Sequence, residues 1–168
     1  MNKLLVSCLA AALLASAGCK DKPKEIPAAV LAEAAQHSSE AEFATQIRDY
    51  PRAKGLLEQA VKLDPEAPRY WMQLGAVQKR MGNTGEARKA YEKARSLVQA
   101  EYKRDKSAAA PLLAEVELCI LLGKPDEARK VLERAQKEHK DDREVRLFTE
   151  GNVLESMLAS REVKEVGL

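Results

Sequence analysis

The chain has 168 residues, 32% of them charged and 4% aromatic, with a formal net charge of +2. That length suits one domain with a modest core, and Ala, Leu, Glu, Lys and Arg recurring at helical spacing point to helices rather than sheet. A charge so close to neutral excludes the strong field that nucleic acid or an anionic membrane surface would select. The interleaved acidic and basic side chains read as a solvated mixed-charge surface.

The chain opens "MNKLLVSCLAAALLASAGCK". Lys3 supplies a positive start, Leu4 to Ala17 carry no charge, and small residues follow. A membrane-spanning helix needs about 20 apolar residues, so this shorter stretch reads as an export signal. It closes on Ala15-Ser16-Ala17-Gly18-Cys19, which resembles a bacterial lipobox, with Ser16 where leucine is commonest. The resemblance implies that residues 1–18 are a signal peptide cut before Cys19, whose thiol receives a diacylglycerol and whose amino group is acylated, commonly by palmitate. Two or three acyl chains at about 0.8 kcal/mol per buried CH₂ would hold a protein on a bilayer. Lys20, rather than Asp, follows the cysteine. By resemblance to enteric-type lipoproteins, this implies the outer membrane, with the domain facing the periplasm. Residues 19–33, beginning "CKDKPKEIP", read as a lipidated tether. Cys119 is then the one remaining thiol; it has no disulfide partner and reads as a small buried apolar side chain.

Residues 34–142 hold an internal repeat. Ala53, Leu57, Ala60 and Leu63 recur 34 residues later as Ala87, Tyr91, Ala94 and Leu97. A second offset of 41 carries Gly82, Ala87, Tyr91 and Ala94 to Gly123, Ala128, Leu132 and Ala135. Periods in this range mark solenoids and arrays. With Trp71, Leu74 and Gly75 on a first helix, Gly82-Asn83 at a turn, and Ala87, Tyr91 and Ala94 on a second, the chain resembles the tetratricopeptide repeat family. That resemblance implies an all-α, right-handed solenoid of about three helical hairpins.

In chain order, the first hairpin begins weakly. His37 stands where the motif has tryptophan, and Ser39-x-x-Glu42 resembles a capping box, so its first helix starts late or is split. In the middle hairpin Trp71, Leu74, Gly75 and Gln78 share one helix face. Glycine inside a helix costs about 1 kcal/mol relative to alanine, so close approach of two helix backbones at Gly75 and Ala87 is expected. Trp71 and Tyr91 would fill the gaps beside that approach. Gln78 stands where an aromatic is usual, and Gln99 where the family has proline. The second helix therefore runs on through "QAEYKRDK", with Ser107 capping the next and Pro111 in its first turn. In the third hairpin Glu115 replaces the usual leucine, while Ala128, Leu132 and Ala135 keep the motif. Residues 143–168 read as one capping helix, with Asp142 as its cap and Leu147, Gly151, Leu154 and Leu158 in phase.

The resemblance implies a concave groove for protein partners. Its positions fall on Arg69, Met72, Ala76, Lys79 and Arg80, then on Leu113, Glu117, Ile120 and Leu121. Burial competes with partner contact at Leu113, Ile120 and Leu121. The family's carboxylate-gripping groove needs Lys and Asn where Met72 and Ala76 stand, so that specificity is not implied. No CxxC, HExxH, GxSxG, Walker or dinucleotide pattern occurs, and His37 and His139 lack ligand spacing. These observations predict no enzyme activity, no metal or other cofactor, no nucleic acid and no small-molecule substrate. The function expected is a membrane-anchored interaction adaptor for envelope proteins, on the general plan of pilus-assembly or secretin-piloting lipoproteins. A client-binding chaperone or a self-assembling structural lipoprotein are the alternatives.

Overall fold

A computed structural model describes residues 26–168, and within them nine helices follow one another with no strand. Helices α1 (Ala28–Gln46) and α2 (Tyr50–Leu63), α3 (Pro68–Arg80) and α4 (Thr84–Arg104), and α5 (Ala110–Leu121) and α6 (Pro125–Glu138) form three hairpins. Three short helices follow: α7 (Arg143–Glu150), α8 (Val153–Ala159) and α9 (Arg161–Val166). Contacts are heaviest within hairpins and next heaviest between successive ones, the nearest-neighbour pattern of a solenoid.

Local signals set these boundaries. A proline lies in the first turn of α2, α3, α5 and α6, where its missing N–H is no loss. Asp49 caps α2 by accepting from the Arg52 N–H at 3.2 Å. Asp142 accepts from the N–H groups of Glu144 and Val145, which starts α7. The hairpin turns are tight. After α3, Gly82 N–H donates to Lys79 O and Asn83 N–H to Gln78 O; after α5, Gly123 and Lys124 donate to Ile120 and Cys119 in the same way. Both glycines have positive φ, 82° and 70°.

The core repeats with the sequence. Ala53, Ala87 and Ala128 are fully buried, as are Ala60, Ala94 and Ala135. Leu57, Tyr91 and Leu132 occupy the position between each pair, and all three are buried. These small–large–small stripes bring the hairpins' helices close and fill the space between them.

The structure differs from the sequence reading in three places. Helix α1 starts at Ala28 and runs unbroken to Gln46, so Ser39 and Glu42 lie inside it and cap nothing. Ser107 does not cap α5: its N–H donates to Asp105 Oδ1, and α5 begins after Ala109 without a side-chain cap. The terminal region is three helices, not one. α7 ends at Gly151 and Asn152 takes φ 50°, which turns the chain. Leu147 is consequently exposed while Leu154 is buried. Cys19 and the signal-like segment lie outside the described residues. Among the described residues, no helix is long and apolar enough to cross a membrane.

Candidate functional site

Gly75 faces the ring of Tyr91. A Cβ built at residue 75 would lie 2.5 Å from Tyr91 Cε1 and 2.6 Å from Cδ1. The close approach therefore involves a ring on α4 against the backbone of α3, rather than the bare backbones of Gly75 and Ala87. Tyr91 is fully buried, and its hydroxyl donates to the Val166 carbonyl at 2.7 Å. Burial, the largest influence, pushes the phenol well above its ordinary range, so it stays a neutral donor. Trp71 is only half-buried. Its ring packs against the apolar core that α1, α2 and α3 share and against that of α4 and α5, and its Nε1–H donates to Pro65 O at 2.9 Å. The indole seals the seam between hairpins one and two.

The candidate groove residues fall into successive recesses along α3. Arg69 and Met72 line one of about 470 Å³ with Pro111 and Ala114 of α5, and the Arg69 guanidinium lies 4.5 Å over the Tyr70 ring. Met72 and Ala76 line a central recess of about 460 Å³ opposite Glu117 and Ile120. Lys79 and Arg80 line a third, of about 630 Å³. Leu113 is separated from the others: with Glu117 it faces Leu147 and Phe148 of α7. Ile120 is 2% exposed and Leu121 6%, so they form the floor rather than a free rim.

The far wall of the central recess comes from α8 and α9, which the sequence reading did not place there. Val153, Met157, Val163 and Val166 face Met72 and Ile120 across it. Main-chain bonds fix that wall: Val166 O accepts from Tyr91, and Leu168 N–H donates to Leu121 O at 2.8 Å. Gly123 has no side chain where Leu168 O approaches, since a Cβ would lie 2.7 Å from that oxygen. The spacing of Val153 with Met157, and of Val163 with Val166, signals an apolar face on each short helix. What that face meets depends on contacts 75 residues apart, as between Tyr91 and Val166.

Two departures from the family pattern prove to be one feature. Glu115 is 7% exposed, and its Oε1 accepts from Gln99 Nε2 at 2.5 Å and from Arg95 at 3.1 and 3.2 Å. Arg95 also pairs with Glu127 Oε2 at 2.7 Å. A carboxylate buried on α5 is thus satisfied by α4, the helix that the absence of proline at residue 99 allows to continue. Gln78 is likewise buried and accepts from Asn83 at 2.9 Å, which braces the turn that Gly82 makes. Cys119 is fully buried, and burial pushes its thiol up to about 11, away from nucleophilic chemistry. His139 accepts or donates across 3.0 Å to the Tyr102 hydroxyl. Among the described residues no group of three His, Cys, Asp or Glu side chains is placed to hold a metal ion.

The hairpins thus combine small–large–small stripes with a series of recesses along α3. Residues 66–137 match the tetratricopeptide repeat family. The matched segment runs from just before α3 into the last turn of α6. No curated protein matches the sequence. Among solved structures, the chain is similar to the Yersinia enterocolitica type III secretion chaperone SycD in complex with a peptide of the translocator YopD. Identity there is 22%, TM-score 0.47, covering 77% of this chain and 91% of that one. It is also similar to the TPR2B domain of yeast Sti1 in complex with pHsp70, at 16% identity and TM-score 0.49, covering 79% and 97%. The described residues form a solenoid of helical hairpins, and the segment 66–137 within it matches tetratricopeptide repeats.

Proposed function

We propose that this chain is a protein–protein interaction adaptor of the bacterial cell envelope, anchored by lipid on Cys19 and presenting its groove to an envelope protein. The observation that carries the interaction role is the central recess. Met72 and Ala76 of α3 face Ile120 of α5 and Met157 of α8 around about 460 Å³, a size and lining suited to apolar side chains of a partner segment. Methionines at two walls let such a surface adapt to its occupant. The match to the tetratricopeptide repeat family supports the same reading. Support for the anchor is the Ala15-Ser16-Ala17-Gly18-Cys19 sequence alone.

The interaction role is tested by affinity capture from envelope extracts with the full chain and two variants. Met72→Asp with Ala76→Asp should abolish capture of a partner that Lys89→Asp, on the exposed face of α4, still retains. Equal capture by all three would refute the groove. Labelling with radioactive palmitate tests the anchor separately: the label should be lost in Cys19→Ser, and a label that persists would contradict it.

A further inference from the structure

The turn between α1 and α2 copies the other two hairpin turns but uses a different residue. Arg48 stands 34 residues before Gly82, which stands 41 before Gly123. Arg48 N–H donates to Thr45 O and Asp49 N–H to Ala44 O, the same bond pair as at Gly82 and Gly123. Arg48 also shares their left-handed backbone, with φ 62°. An L-residue is disfavoured there and glycine is not. Two hairpins use glycine, and one holds an arginine in strain.

The arginine faces a recess of about 630 Å³ that also contains Lys79, Arg80 and Arg161, with Glu165 as the one carboxylate lining it among the described residues. Glu165 is taken by Arg161 at 3.0 Å. Among the described residues, Arg48, Lys79 and Arg80 form no ion pair with a carboxylate. Three cations converging on one concavity repel one another, and strain held at such a point indicates a role beyond folding. Lys79 and Arg80 follow Ala76 by about one turn of α3, so the cationic recess continues the apolar one.

We propose that Arg48, Lys79 and Arg80 form a receptor for an acidic segment of a protein partner, whose neighbouring apolar residues enter the recess at Met72 and Ala76. The inference rests on the groove reading above. Continuity with an apolar groove favours a peptide over a lipid headgroup, which would meet an outward patch.

The test is an array of 12-residue peptides of varied composition, probed with the full chain and with Arg48→Gly. Bound peptides should be enriched in Asp and Glu, and Arg48→Gly should reduce their binding about fivefold, the loss of one exposed charge pair. The same variant should melt about 2–4 °C higher, because glycine relieves the turn. The gain in stability separates a lost ligand contact from a damaged fold. Peptides that bind without acidic preference, or equally to both proteins, would overturn the inference and leave the groove reading intact. An array with no bound peptides would overturn both. Binding of the wild type but not Arg48→Gly to phosphatidylglycerol vesicles, without acidic peptide preference, would assign the site to membrane and overturn the proposal.

Discussion

Gly75 is small because Tyr91 is large. The equivalent pairs in the flanking hairpins are Ala41 with Leu57 and Val116 with Leu132, all buried. The three hairpins thus keep the space filled while redistributing bulk between the two helices. Replacing Gly75 with alanine gains about 1 kcal/mol of helix propensity. Its methyl would nevertheless lie 2.5 Å from a ring that cannot swing away, because its hydroxyl is bonded to Val166 O. Gly75→Ala should therefore destabilise by a net 1–2 kcal/mol or so in denaturant melts. Combined with Tyr91→Leu, the alanine no longer clashes, and the two changes should be less than additive. Strict additivity would mean that the contact is not what keeps residue 75 a glycine. The sequence marked Gly75 as a place of close approach, but it could not say what approaches, since backbone and ring leave the same pattern.

At the scale of helices, the three hairpins were legible because each buries one stripe, and a stripe repeating at fixed offsets is visible without coordinates. The end of the chain is not legible in the sequence for a related reason. Leu147, Leu154 and Leu158 keep helical phase across Gly151-Asn152, and that phase outweighed a turn-forming pair that in fact breaks the helix. Glu115 also looked like a flaw until α4 was seen to supply Arg95 and Gln99. Restoring the usual leucine would leave both donors facing an apolar side chain. Glu115→Leu should cost about 1–3 kcal/mol, and the added change Gln99→Leu should recover part of it. A more stable Glu115→Leu single variant in thermal melts would show that the pair is dispensable.

For the whole molecule, the groove is shaped as much by the last helices as by the repeat. Tyr91 reaches from the core of α4 to the main chain of α9, so packing inside the stack and the width of the central recess are linked through one hydrogen bond. Tyr91→Phe keeps the ring and removes that bond, at about 1 kcal/mol. Amides of residues 153–168 should then exchange about fivefold faster, while the hairpins change little. Unchanged exchange in that segment would mean that Val166 is held by its apolar contacts alone. None of this was visible in the sequence, since residues 75 positions apart meet only after the stack exists. The central claim, that a partner enters beside α3, is tested most directly by photocrosslinking in cells with benzophenone placed at Met72 and, in a separate chain, at Lys89. A discrete adduct with a second protein is predicted from Met72 and none from Lys89. The same adduct from both positions, or only lipid and self-adducts from Met72, would contradict it.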